Sequence, residues 1–227
     1  MRRAAPDAGS PSAPAAGRLA GMTGERLRFD GWIAGVGTSS GVRLVVGHWP
    51  RSPFGAFSDV MVEHPDGERV LLAPDRRIAD FVAATYRFDR VEVVPVAVAV
   101  AGDTWAVEAG ALRLRLRVGR PTAIGLLLSA VPAPLVRSPL WAALCNVPAR
   151  LLMPGVRTLG RAGPDRREWY GARGLRPVVA AEAVLDGVGL GRLGPLDPPV
   201  AFGFGSAPRT PSLVRVTTTV ELAGPGR

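Results

Sequence analysis

A chain of 227 residues, 47% hydrophobic and 21% charged, carries enough apolar material for a sizeable core, which excludes disorder as its overall class. Its net charge of +9 rests on arginine alone, because the sequence contains no lysine. That absence excludes a lysine Schiff base with a carbonyl substrate or pyridoxal phosphate, and it excludes a P-loop. The single cysteine, Cys145, excludes an internal disulfide and any multi-cysteine metal site.

Missing lysine and glutamine, a lone asparagine (Asn146) and an excess of Ala, Gly, Pro and Arg are what a G+C-rich genome writes. The basic charge is therefore a poor pointer to nucleic acid, and none is expected as a partner. Residues 1–22, rich in Ala, Pro, Gly and Ser, read as a disordered tail, residues 23–223 as one domain and 224–227 as a short tail. The N-terminus lacks the continuous apolar core of a signal peptide, and Pro121–Val136 falls short of the roughly 20 unbroken apolar residues that a bilayer span needs. A cytoplasmic location is the default expectation, with peripheral membrane contact left open.

From Glu25 onward short alternating runs predict strands. "RLRFDGWIAGVG" and "VRLVVGHW" come first, the former bent at Gly31, where a residue without Cβ permits a bulge. "AFSDVMVEH" and "ERVLLAP" flank Pro65-Asp66-Gly67, a hairpin turn in which proline presets φ and glycine accepts a positive one. Ile78, Phe81 and Val82 then sit at helical spacing and predict a short amphipathic helix on the sheet. "VEVVPVAVAVA", "TWAVEA" and "ALRLRLRV" return to strand. In the last, Leu112, Leu114, Leu116 and Val118 form one face and Arg113, Arg115 and Arg117 the other. Two apolar runs, Pro121–Val131 and Pro139–Met153, predict helices entered through proline. "REWYGARGLRPVVAAEAVLDG" and "PSLVRVTTTVEL" supply the final long strands, separated by a segment rich in proline and glycine.

Three segments in this order, "SPFGAFSDVMVE", "DTWAVEAGALRLRLRV" and "LGPLDPPVAFGFGSAP", resemble the acetoacetate decarboxylase-like superfamily over most of residues 25–222. The resemblance implies a mainly β fold, an antiparallel closed β-barrel shaped as a cone, with two or three inserted helices around a small-molecule pocket. It puts Asp59 near the family's pocket glutamate. The segment corresponding to the family's Tyr-Pro-Lys-Lys reads "FVAATYRFDRVEV" and has no lysine, so imine-based decarboxylation does not carry over. Arginine, with its delocalised charge and very high pKa, cannot replace lysine as the nucleophile. The Gly-Trp in "FDGWIAG" is a second resemblance, to lipocalin-like lipid carriers.

The densest polar cluster, "GHWPRSPFGAFSDVMVEH", contains His48, Arg51, Asp59, Glu63 and His64. At the strand period Phe57, Asp59, Met61 and Glu63 share one face. If that face lines an interior, Asp59 and Glu63 have raised pKa values and serve as general acid and base, with His48, Arg51, Phe57 and Met61 against a ligand. If it is the outer face, Val60 and Val62 pack inside and both carboxylates are solvated or paired with arginine. Two histidines are too few for a histidine-rich zinc site, and neither a metal nor a cofactor is expected. "DRREWYGARGLR" adds Glu168 and Tyr170, and Arg87 and Arg209 complete the ligand-binding candidates, since arginine binds carboxylates in two-pronged fashion. No G-x-S-x-G elbow and no G-x-G-x-x-G leading into a helix is present.

The leading expectation is a binder, or an acid-base enzyme, for a small, largely apolar ligand bearing a carboxylate or carbonyl, without Schiff-base chemistry. An arginine-rich protein binding nucleic acid or a membrane surface is the alternative from a different class.

Overall fold

A computed structural model describes residues 26–136, 138, 141, 159–161, 166–203 and 207–222. The chain is mainly β with few helices. In order it forms β1 (Arg26–Thr38), β2 (Arg43–Arg51), β3 (Phe57–Glu63), β4 (Arg69–Ala73), α1 (Arg76–Ala83), β5 (Arg90–Val93), β6 (Val96–Ala101), β7 (Thr104–Ala109) and β8 (Leu112–Val118). There follow α2 (Ala123–Ser129), α3 (Ala133–Val136), β9 (Leu159–Arg161), β10 (Arg166–Leu185), β11 (Val188–Gly189), β12 (Leu193–Gly194) and β13 (Ser212–Leu222). The helix expected over Pro121–Val131 is α2, capped by the Thr122 side chain, which accepts from the Gly125 amide. Most of the helix expected over Pro139–Met153 lies outside the described residues.

The strands join in one sheet of order β5-β4-β3-β2-β1-β13-β10-β8-β7-β6. Every pair along this path is antiparallel except β4 with β5. The closed barrel expected from the sequence is not closed by hydrogen bonds: among the described residues β5 and β6, the two ends of the path, do not pair with each other. They are nevertheless separated in sequence by Val94 and Pro95 alone, so the sheet must bend until its edges meet at that corner. Val94 donates its amide to Ala73 O, and proline has no amide to continue a ladder.

Bending brings the two limbs of the sheet face to face around an inner core. Val60, Val62, Val70 and Leu72 from one limb meet Trp105, Val107, Leu114 and Leu116 from the other. β8 shows the period-two pattern in full, with leucines and Val118 buried and the three arginines exposed. The opposite face of the first limb is covered too. Helix α1 seats Ile78, Phe81 and Val82 on Leu27, Phe29, Phe57, Leu71 and Val220. The helix lies on β4 and its Phe81 ring meets Phe29 of β1 with centroids 5.4 Å apart. Strands β4 and β1 are three strand spacings apart, about 14 Å in a flat sheet, whereas a helix is about 10 Å across, so the sheet curls around the helix as a trough. The loop from Leu196 to Phe202 continues this cover over Val45 and Ile33.

Candidate functional site

Strand β3 divides its residues between the two sides. Val60 and Val62 enter the inner core, while Phe57 and Met61 face the trough. Asp59 shares the latter face and is only 2% exposed. The face is thus the outer one, with Val60 and Val62 packed inside and Glu63 paired with an arginine, but it lies under cover, and Asp59 is neither solvated nor paired with arginine among the described residues. Gly47 lies opposite Asp59 on β2, and a Cβ there would come within 2.5 Å of Asp59 Oδ1 and 2.6 Å of Trp49 Nε1. Glycine at that position makes room for the Trp49 indole N–H to donate to Asp59 Oδ1 at 3.0 Å. Among the described residues no cation pairs with this carboxyl. Burial pushes its pKa up to about 7, and the Trp49 hydrogen bond offsets part of the rise.

A second buried carboxyl occupies the same face on β10. Glu168, 1% exposed, accepts from the Tyr86 hydroxyl at 2.7 Å, and the Tyr86 and Tyr170 hydroxyls are 2.8 Å apart. Glu168 Oε2 is buried with no hydrogen-bond partner among the described residues. Burial raises Glu168 to about 7, against the pull of the two tyrosine hydroxyls and the Arg166 charge. Both tyrosines are pushed well above the ordinary phenol value, first by burial and then by the neighbouring Glu168. Arg166 stacks over Phe81 and donates to Phe81 O at 3.0 Å, tying β10 to the end of α1.

Between the α1 cluster and the loop cluster runs a seam. Met61, Tyr86 and Phe88 pack against both clusters and stay partly exposed, as does Tyr170. Asp59, between Phe57 and Met61, approaches the seam from β3; Tyr86, Glu168 and Tyr170 approach it from the β10 side. Chemically the seam sets partly exposed apolar side chains beside two buried carboxyl groups whose pKa values burial raises to about 7.

The other sequence candidates fall elsewhere. Glu63 pairs with buried Arg43 at 3.2 Å and accepts from the Ala201 amide at 2.8 Å, while Arg43 donates to Pro198 O at 2.8 Å. This pair clamps the covering loop. His48 faces the inner-core side, bonded to Ser58 at 2.8 Å and stacked on Trp32, and burial lowers its pKa. Arg51 is exposed, 3.8 Å from Asp30. Arg87 is exposed on the chain leading from α1, and Arg209 pairs with Asp197 at the surface. No cluster among the described residues offers three metal-ligating side chains. A separate cleft of about 60 Å³, lined by His64, Arg90 and Glu92 among others, opens at the rim of the inner core away from Asp59. Sequence reasoning missed Tyr86, Trp49, Gly47 and Arg43. Tyr86 alone carried a hint, being one of two tyrosines in the chain, the other its partner Tyr170.

No helix among the described residues is long and apolar enough to cross a membrane. No family model matches the chain, and no curated protein matches it. Among solved structures it is similar to an acetoacetate decarboxylase from Legionella pneumophila, at 12% identity over 89% of this chain and 86% of that one, with a TM-score of 0.41.

Proposed function

We propose that the seam binds a small, largely apolar compound carrying a carbonyl or carboxyl group, and that Asp59 serves as its acid-base group without covalent imine chemistry. The observation that carries this reading is Asp59 itself. It is a buried carboxyl without a cationic partner, kept in place by a single indole N–H and a glycine, beside partly exposed apolar side chains. Native proteins seldom keep such a group for stability, because an unpaired buried carboxyl costs free energy. Near neutral pH it can both accept and deliver a proton, which suits proton transfer next to a carbonyl. We further infer, on the three sequence segments quoted above, that the chain is a diverged, lysine-free relative of the acetoacetate decarboxylase-like superfamily.

Trp49 supplies a built-in reporter. Titration with 2-octanone and with octanoate should change its fluorescence saturably, and octanoate should bind more weakly as pH rises through 7 and Asp59 ionises. Asp59→Asn should abolish that pH dependence. Deuterium incorporation beside the carbonyl of 2-octanone, present with the native chain and lost in Asp59→Asn, would mark an enzyme rather than a binder. Absence of saturable binding by either compound, or an unchanged pH profile in the variant, would remove the assignment.

A further inference from the structure

Helix α2 exposes its apolar side chains instead of burying them. Leu127 is 72% and Leu126 58% exposed, with Ile124 and, on α3, Leu135 also open, while Gly125 is the buried residue, set against the backbone of Leu175. Val179, 51% exposed, continues this surface beside Gly119, whose Cβ would meet Val179 Cγ1 at 2.9 Å. A contiguous group of large exposed apolar side chains signals a contact surface rather than ordinary surface variation.

Charge identifies the partner. The outward row of β8, Arg113, Arg115 and Arg117, leads through exposed Arg120 directly into α2. Arg113 approaches Glu108 at 3.6 Å, whereas among the described residues Arg115, Arg117 and Arg120 form no ion pair; Glu182 is the cross-strand neighbour of Arg115 without closing on it. In sequence the bias is wider: between Glu108 and Asp165 there are eight arginines and no acidic residue. Codon bias accounts for arginine in place of lysine, but it does not account for the exclusion of Asp and Glu, which occur 19 times in the rest of the chain. Exposed leucines that follow a row of exposed arginines, three of them in no ion pair among the described residues, are the pattern of an interfacial membrane contact, in which apolar side chains enter the acyl boundary and cations meet anionic headgroups.

We propose that the α2–α3 tip, with the arginine row of β8, docks this protein onto an anionic lipid surface. The tip packs on the face of β10 opposite the seam: a Cβ at Gly171, which points away from the side that carries Glu168 and Tyr170, would come within 2.3 Å of Val136 O. The surface stands on its own observations and does not depend on the role given to Asp59.

The test is co-sedimentation of the full chain with large vesicles of phosphatidylcholine alone or mixed with phosphatidylglycerol, at low and high salt. Binding is expected to the mixed vesicles and to fall with salt. The double substitution Leu126→Asp and Leu127→Asp, at exposed positions, should weaken it at least tenfold. Arg115→Gln with Arg117→Gln should remove most of the preference for the anionic vesicles, about fivefold per arginine, and provides a second test on a different element. No binding to mixed vesicles would overturn the proposal, as would binding that neither double variant alters. A native dimer in sedimentation equilibrium that the leucine variant dissociates would assign the face to a second copy instead. Salt-sensitive binding to duplex DNA that the leucine variant leaves intact would assign the arginines to nucleic acid and overturn it equally.

Discussion

Replacing Asp59 by asparagine should make the protein more stable at alkaline pH and leave it nearly unchanged in acid. The carboxyl rises from its ordinary 3.8 to about 7 on folding. Below pH 3.8 it is protonated in both states and its titration adds nothing to the pH dependence. As pH rises from there toward 7 the unfolded chain ionises freely while the folded chain holds its proton, so stability falls; above 7 the loss is constant. At about 1.36 kcal/mol per pH unit the full loss is about 4 kcal/mol, and the part that develops between pH 5 and 8 is about 2 to 3 kcal/mol. Asparagine keeps an oxygen for the Trp49 N–H and does not ionise. Urea unfolding of both proteins at pH 5 and pH 8 should therefore show the variant's advantage growing by about 2 to 3 kcal/mol over that interval. Parallel pH profiles would show that Asp59 is not the buried, unpaired acid described above.

Gly47→Ala should force the Asp59 carboxyl and the Trp49 indole apart, at about 1–3 kcal/mol in urea melts, with a changed Trp49 emission spectrum. Arg43→Ala leaves the Glu63 carboxylate buried without its cation, and a loss of about 3–5 kcal/mol is expected. Replacing Arg43 and Glu63 together by methionine should cost much less, which equilibrium unfolding can compare directly. Tyr86→Phe keeps the ring against Gly203 but withdraws the hydroxyl from Glu168, costing about 1–3 kcal/mol. Because Glu168 then rises further above its ordinary 4.5, the deficit should be larger at pH 8 than at pH 5, and a pH-independent deficit would argue against a hydrogen bond to Glu168.

Period-two alternation made β8 and the β3–β4 hairpin legible from residues alone, because both are local patterns: Leu112 to Val118 alternates without exception, and Gly67 takes the positive φ, +93°, that its turn position demands. The same rule placed Asp59 with Phe57 and Met61 but could not say what lies over them. Whether that face meets solvent depends on α1 and on the loop clamped by Arg43 and Glu63, both brought there by tertiary contacts. How the sheet closes was illegible for a similar reason. "VEVVPVAVAVA" reads as one strand, yet Pro95 splits it into two pieces serving opposite ends of the sheet. Tyr86 was marked by nothing but the rarity of tyrosine, because its partner Glu168 is 82 residues away. One trace of the covered face was readable: glycines at 31, 35 and 37 recur at even spacing on β1, and a Cβ on each would strike backbone or side chains packed above it.

The pairing of β1 with β13 sets the order in which this protein can be made. Arg26 lies opposite Glu221 and Gly35 opposite Ser212, so the central ladder joins the beginning of the described chain to its end. β13 also stands between β1 and β10, the longest strand. Until β13 is available, the two limbs of the sheet share no edge, and β1 presents Leu27 and Phe29 without their native neighbour. Joining of the two limbs must therefore wait for β13 and be slow for the chain's size, as expected where the decisive contacts are the most distant in sequence.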